Sequence, residues 1–172
     1  MSYSFYDGSI LLTQNALKCL SDILKKGEAT PNAASLPEAS LHPDMKPLSF
    51  QVHIVTDVAQ KIHARLTGNE PATLENNLKT FADFRARIEQ IEQQLAGADK
   101  DTINRHAGEI VPLGLGGGKT VDMSGAAYVS GYGVPNIFFH LSMAYGIMRK
   151  EGVPLGKMDY LVPFIGQYIP KE

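Results

Sequence analysis

The 172-residue sequence predicts an all-α protein, a four-helix bundle with a small β-hairpin inserted before the last helix. Four segments carry apolar residues spaced three and four positions apart, which is the period of an amphipathic α-helix. A long stretch rich in Pro, Ala and Ser separates the first two segments, and a short glycine-rich stretch precedes the fourth. Length and composition indicate a single domain over residues 1–172.

The first predicted helix covers residues 9–26, where Ile10, Leu17 and Leu24 lie on one apolar stripe. Gly27 is expected to end this helix, because glycine is common just past a helix C-terminus. The connection that follows, residues 27–47, shows no hydrophobic period. It is therefore predicted to be a long surface crossing between helices.

The second predicted helix begins after Pro47, whose fixed φ suits a first helical turn, and ends at Gly68. The third predicted helix runs from Leu74 to Leu95 and ends at Gly97. Both segments carry a continuous apolar seam with polar residues on the opposite face. Such segments pack one face against a core.

The stretch GLGGGKT, residues 114–120, looks like a phosphate-binding loop, but its spacing is wrong. The G-x-x-x-x-G-K-[ST] pattern needs a glycine six residues before the lysine, and Leu113 stands six residues before Lys119. A phosphate-binding loop also leads directly into a helix N-terminus. Here Thr120 leads into the alternating residues Val121-Asp-Met-Ser, which predict the second strand of a hairpin.

The fourth predicted helix opens or kinks at Pro135 and ends at Gly152. Its apolar stripe includes Ile137, Leu141 and Met148. The tail that follows is apolar but irregular in period. It is predicted to wrap back over the bundle.

Composition excludes several classes of function. A formal net charge of −2 gives no electrostatic reason to expect nucleic acid or an anionic membrane as a partner. The apolar runs are far shorter than the ~20 residues that span a bilayer. A single cysteine, Cys19, cannot form an internal disulfide, and the first residues do not look like a secretory signal. A cytoplasmic location is therefore expected.

His140 is the first candidate for chemistry, because it lies on the apolar stripe of the fourth helix. It is either a core histidine with one hydrogen bond or a functional group with polar company. His53 and Asp57 can supply that company, because a spacing of four residues places them on one face of the second helix. The alternative for this pair is a partly solvated helix face.

Three segments of the sequence resemble a known family. They are LHPDMKPLSFQVHIVTD (residues 41–57), the glycine hairpin, and VPNIFFHLSMAYGIMRKEGVPLGKMDYL (residues 134–161). The chain resembles an uncharacterised domain-of-unknown-function family, fungal and bacterial, within the DinB/YfiT-like superfamily of proposed metalloenzymes. The resemblance covers nearly the whole chain. It implies an up-down-down-up four-helix bundle, often dimeric, with a polar pocket at one end, but it supplies no reaction.

The metal site of that superfamily uses one histidine from the second helix and a His-x-x-x-His pair from the last helix. His140 matches the first member of the pair, whereas Ala144 stands in the place of the second. A substitute ligand would have to come from His53, His42 or Asp44. We therefore expect no tightly bound cofactor. The alternative is a zinc or nickel ion held by His140, His53 and His42.

Two functions follow as hypotheses. The first is a pocket for a small molecule, with His140 and His53 as catalytic groups of a transferase- or hydrolase-like enzyme. The pocket would be lined further by Asp44, Gln51, Asp57, Phe139 and Tyr145. The second is a non-catalytic, homodimeric binding or interaction protein in which the same polar residues form a structural network around a degenerate metal site.

Overall fold

The computed structural model describes residues 3–169, and the described part is mainly helical. Seven α-helices are present in this part. The four long ones are α1 (Leu12–Glu28), α2 (Leu48–Leu66), α3 (Phe81–Ala96) and α6 (Val134–Lys150). The three short ones are α4 (Lys100–Arg105), α5 (Gly125–Tyr128) and α7 (Lys157–Ile165).

Several single turns complete the helical part. Two π-helical turns, Asp7–Leu11 and Val129–Gly133, lead directly into α1 and α6. Three 3₁₀ turns cover Ala33–Glu38, His106–Gly108 and Gly166–Tyr168. The four long helices correspond to the four predicted segments, but the helix count is higher than predicted because the short helices lack a long periodic pattern.

Helix α2 has the predicted limits, whereas α1 corrects the prediction for Gly27. Pro47 precedes α2, and Gly68 follows it with φ +73°, the left-handed conformation that favours glycine. Gly27 lies inside α1 and is buried. A Cβ at this position would lie 3.1 Å from Met148 Sδ, so Gly27 permits close packing of α1 against α6 and does not end the helix.

Helix α3 starts later than predicted. Thr80 and Asp83 form a capping box, in which the Thr80 hydroxyl accepts from the Asp83 N–H and the Asp83 carboxylate accepts from the Thr80 N–H. Residues 69–79 have no regular secondary structure. We call residues 69–79 the strap. Leu74 therefore lies in the strap and not in a helix, which is a correction to the predicted start.

The strap runs back along α2. The side-chain amide of Gln60 pairs with the backbone of Ala72, and the groove beside Phe50 is lined by strap residues 76–79. At the far end, Gln94 of α3 lies 3.4 Å from Nδ1 of His63 in α2. Helix α3 therefore begins beside the start of α2 and ends beside its end.

The predicted hairpin is present. Strands β1 (Ile110–Gly116) and β2 (Lys119–Ser124) pair antiparallel, with Gly114 opposite Thr120. The three consecutive glycines of the tip, residues 116–118, all have positive φ, and a Cβ built on any of them would have open space around it. Lys119 belongs to the second strand, so the predicted difference from a phosphate-binding loop is confirmed.

Helix α6 packs mainly against α2, and the segment that follows α6 packs against α1. The first turn of α6 contains Pro135, and Gly152 has φ +88° after the helix end. The tail, which was predicted to wrap back over the bundle, contains α7, and the main helix partner of α7 is α1. One continuous hydrophobic cluster joins the long helices. Within residues 3–169, no helix combines the length and the apolarity needed to cross a bilayer.

Candidate functional site

A row of polar side chains follows one line along α2. His53, Asp57, Lys61 and Arg65 are spaced four residues apart, and side chains at this spacing are neighbours on a helix surface. The opposite side of α2 carries fully buried residues of the core. The core therefore fixes the rotation of α2, and this rotation turns the row toward the strap.

The strap forms the second wall. Together the row and residues 70–74 line a groove of about 380 Å³, which we call the strap groove. Gln60 holds the strap in place: its amide nitrogen donates to Ala72 O at 2.8 Å, and its amide oxygen accepts from Ala72 N at 3.2 Å. Gln60 is only 1% exposed, so neighbouring residues surround the side chain that makes these two hydrogen bonds.

His53 is the most buried polar member of the row. Its side chain lines the strap groove although the residue is only 9% exposed, and its Nδ1 is sealed from solvent without a hydrogen-bond partner. Burial lowers the pKa of His53 below its ordinary value; the charge of Asp57 opposes this effect, and Arg87 and Lys61 add to it. His53 is therefore mainly neutral at pH 7.

The tautomer of His53 follows from its surroundings. A neutral imidazole carries one N–H donor and one acceptor. An unpaired buried N–H is rarer than an unpaired acceptor. The sealed Nδ1 is best left as the acceptor, so the proton of neutral His53 resides on Nε2. The ring can meet a ligand only through its remaining atoms, which include this Nε2–H.

Asp57 and Lys61 neutralise each other. Lys61 Nζ lies 2.5 Å from Asp57 Oδ2, one helical turn away. The Asp57 side chain is mostly buried, with 12% of its surface exposed. This pair places a locally neutral segment in the middle of the groove, between His53 and Arg65.

His140 belongs to a different hydrogen-bonded chain. Gln51 donates its amide N–H to the carbonyl oxygen of Lys46 at 2.9 Å, so its amide oxygen is the group that faces His140. That oxygen lies 2.7 Å from His140 Nδ1. Nδ1 of His140 therefore carries the proton, and this N–H donates a hydrogen bond to the Gln51 oxygen. Nε2 of His140 is left with a free lone pair. Burial lowers the pKa of His140, so the neutral form dominates at pH 7.

The two histidines flank the same aromatic ring. The ring centroid of Phe50 is 6.3 Å from that of His53 and 6.0 Å from that of His140. His140 is not among the side chains that line the strap groove. Thus both members of the predicted pair lie near Phe50, but only His53 lines the strap groove.

The other candidate residues lie elsewhere. His42 and Asp44 contact each other through Nδ1 and Oδ1 at 2.5 Å, on a loop where both side chains are largely exposed. Phe139 is 56% exposed and packs its ring edge against His140. Tyr145 lines a separate groove with Tyr160 of α7. Of the predicted site residues, only His53 and Asp57 line the strap groove.

The family is identified by comparison with known proteins. A family model described as "Domain of unknown function (DUF1993)" matches residues 5–161. The chain belongs to this family. A DinB family member protein from Shewanella denitrificans, known from a crystal structure, has a similar fold with a TM-score of 0.81. It is 31% identical in sequence, and the match covers 91% of the present chain and 90% of the other. No curated protein matches the sequence.

The donor set of this DUF1993 domain does not fit the metal site of the DinB-like proteins. Ala144, four residues after His140, is completely buried and offers no ligand. Among the residues that the structure describes, His, Cys, Asp and Glu form no group of three with the proximity to hold a metal ion. Cys19 is also unsuited, because burial raises the pKa of its thiol to about 12. No chemical step is therefore assigned to a metal.

Lys61 and Arg65, which line the strap groove, were not predicted as site residues from the sequence. The signal was nevertheless present: His53, Asp57, Lys61 and Arg65 repeat every four residues on a helix that is otherwise almost entirely buried. Extending the His53–Asp57 pair by two further turns would have found the row. Nothing in the sequence indicated Gln60 as the residue that holds the opposite wall.

Proposed function

We propose that this DUF1993 protein binds a small molecule in the strap groove. The observation that supports the proposal is the buried, unpaired Nδ1 of His53 beside a polar cleft. A buried polar atom without a partner destabilises a fold by about 1–3 kcal/mol, and a catalytic or binding role is one of the reasons for which proteins keep such atoms. An apolar residue at position 53 would avoid this cost.

Binding can be tested with a mixed library of small fragments, observed by NMR on protein labelled in its backbone amides and histidine rings. We expect a subset of fragments to shift the His53 ring signals together with the amides of Ala72 and Thr73. His53→Gln should weaken these fragments, whereas His42→Gln, on an exposed loop, should not. If no fragment of any charge shifts His53 or the strap amides, the proposal is wrong.

A second function, proton transfer in a transferase- or hydrolase-like reaction, is favoured by His140. Its Nδ1–H is held by Gln51, so its free Nε2 is a base with a fixed direction. Depression of its pKa by burial keeps this base unprotonated at pH 7. The non-catalytic alternative assigns the Gln51–His140 pair a structural role only.

NMR signals of the His140 ring nitrogens separate the catalytic from the structural role. A fixed base gives an Nε2 signal of the unprotonated type that shifts when a fragment binds, and Gln51→Leu should mix the two tautomers. An Nε2 signal that no fragment affects, in a protein whose strap groove is otherwise occupied, would favour the structural role.

We also propose that the four long helices form one up-down-down-up bundle domain spanning residues 1–172. The ion pair between Glu28 and Arg85 joins the end of α1 to the start of α3, which supports antiparallel packing of these helices. Gln94 and His63 support parallel packing of α2 and α3. The close approach of Gly27 to Met148 supports parallel packing of α1 and α6.

Homodimer formation is proposed through α7. Met158, Val162 and Ile165 are 52%, 43% and 39% exposed, and their spacing places them on one stripe of the helix. A second copy of the chain would cover this stripe about a two-fold axis. Light scattering should give a dimer mass at micromolar concentration, and Val162→Glu should give a monomer. Val121→Glu, at an equally exposed hairpin position, should remain dimeric; a monomeric parent protein would overturn the proposal.

A further inference from the structure

Arg65 is the one cation of the α2 row that lacks a carboxylate partner in the described part of the chain. Lys61 is paired with Asp57, whereas no ion pair involves Arg65 although Glu70 lines the same groove. Nε of Arg65 is buried without a hydrogen-bond partner. Arg65 therefore brings a positive charge without an ion-pair partner to the lining of the strap groove.

The charged surroundings of the groove favour an anion. Asp57 and Lys61 cancel, and Arg87 of α3 adds a positive charge that acts on His53. Nη1 of Arg87 is also buried without a partner, and Nη2 donates to the backbone oxygen of Glu75 in the strap. Glu70, which is exposed, is the remaining negative side chain in the lining.

The hydrogen-bonding groups at the two ends of the row are both donors. At one end the guanidinium of Arg65 has only N–H groups to offer, and at the other His53 presents Nε2–H while its acceptor Nδ1 is sealed. A rise of 1.5 Å per residue separates positions 53 and 65 by roughly 18 Å along the helix axis. A ligand that uses both ends must be elongated and must carry acceptor oxygens.

We propose that the strap groove binds an elongated small acid, with its terminal oxyanion on Arg65 and a second oxygen directed to His53. The oxyanion is a carboxylate or a phosphate, since both match the planar fork of a guanidinium. This assignment rests on the proposed function, because it specifies the ligand class of the same groove. Lys61 stays with Asp57 and sets the neutral middle of the site.

The experiment uses hydroxyalkyl probes of similar length that differ in their terminal group. They are 6-hydroxyhexanoate, its neutral isostere 6-hydroxyhexanamide, and 5-hydroxypentyl phosphate. Binding is followed by NMR through the Nε–H signal of Arg65 and the ring signals of His53. We expect the acid to bind at least about tenfold more tightly than the amide, as is usual for hydrogen bonds to a charged group. Whichever of the carboxylate and phosphate probes binds more tightly identifies the source of the oxyanion.

Variants assign the contact to one residue. Arg65→Gln should weaken the acid by about tenfold and leave the amide unchanged, while Arg105→Gln, an exposed arginine outside the groove, serves as the matched control. Arg65→Lys keeps the positive charge but loses the planar guanidinium, so its affinity for the acid should lie between those of the parent protein and Arg65→Gln. This variant provides the test if Arg65→Gln does not fold.

The outcomes distinguish the two proposals. Equal binding of acid and amide, with His53 shifted by both, would leave the strap groove as a binding site and overturn the preference for an anion. Unchanged acid binding in a folded Arg65 variant would overturn the assignment to Arg65. If none of the three probes shifts Arg65 or His53 at millimolar concentration, the anion site is wrong, and the fragment library decides separately whether the groove binds anything.

Discussion

Gln60 provides the sharpest test of the strap groove, because one buried side chain makes both hydrogen bonds that hold its outer wall. Replacement by alanine removes the 2.8 Å and 3.2 Å bonds to the backbone of Ala72. Two ordinary hydrogen bonds contribute about 1–3 kcal/mol, and the lost buried methylene adds about 0.8 kcal/mol. We expect the free energy of unfolding to fall by about 2–4 kcal/mol.

The loss should appear as heat sensitivity and as local opening. For a chain of this length, 1 kcal/mol changes Tm by about 2–4 °C, so Gln60→Ala should lower Tm by roughly 5–15 °C. Hydrogen exchange at the Ala72 amide should accelerate more than exchange in α1, because Ala72 is exposed and loses its only partner. Fragment binding in the strap groove should weaken in parallel.

Two further variants make the result specific. Gln60→Glu keeps an acceptor for the Ala72 N–H but places a carboxylate oxygen against Ala72 O, so the amide should stay partly protected while stability still falls. Gln90→Ala, an exposed glutamine of α3, should change stability by less than about 0.5 kcal/mol. If Gln60→Ala leaves both Tm and hydrogen exchange at Ala72 unchanged, contacts other than those of Gln60 hold the strap.

Lys119→Ala at the hairpin tip should change stability by less than about 0.5 kcal/mol, and any ATP binding that this substitution abolishes would contradict the hairpin assignment. Burial lowers the pKa of His53, His63 and His140 below 6.5, so the neutral forms stabilise the fold above pH 6.5 and this stability is lost as the pH falls through the lowered values. Denaturant unfolding at pH 7 and pH 5 should show the loss, with a smaller loss in His53→Gln; equal stability at both pH values would refute it. Elemental analysis of the protein without a histidine tag should find zinc and nickel well below one ion per chain, whereas a full equivalent would restore the metal hypothesis.

The long helices could be predicted because their apolar period reflects burial directly. The start of α3 could not, because Leu74 and Leu78 continue the period although they lie outside any helix. Leu78 is buried without being helical, and the capping box of Thr80 and Asp83 decides where the helix begins. Hydrophobic period reports which residues are buried and does not by itself report backbone conformation.

The helical conformation of the tail was not predicted, for a related reason. Helix α7 is short and contains Pro163, so it offers few turns in which a period can be recognised. Its helical state depends on packing against α1, which is distant in sequence. Pattern alone therefore underestimates helices that tertiary contacts stabilise.

The candidate site was predicted only in part. His53 and Asp57 were found because a spacing of four residues is visible in the sequence. Their partner wall is formed by residues 70–74 of the strap, of which only Leu74 had been assigned to an element, the third helix. Gln51 was named as a pocket residue, and the structure adds its role: it fixes the tautomer of His140. The distribution of the other candidates over separate surfaces depends on tertiary geometry that no local pattern contains.

The strap also has a consequence for the order of folding. Residues 48–96 hold α2, the strap and α3 in one continuous stretch, whereas Asn32 contacts Glu151 across 119 positions of sequence. Closing a short loop loses less chain entropy than closing a long one. Contacts within residues 48–96 are thus expected to form before α1 meets α6. Substitution at Gln60 should then slow refolding, while substitution at Met148, beside Gly27, should mainly accelerate unfolding, as stopped-flow kinetics can measure.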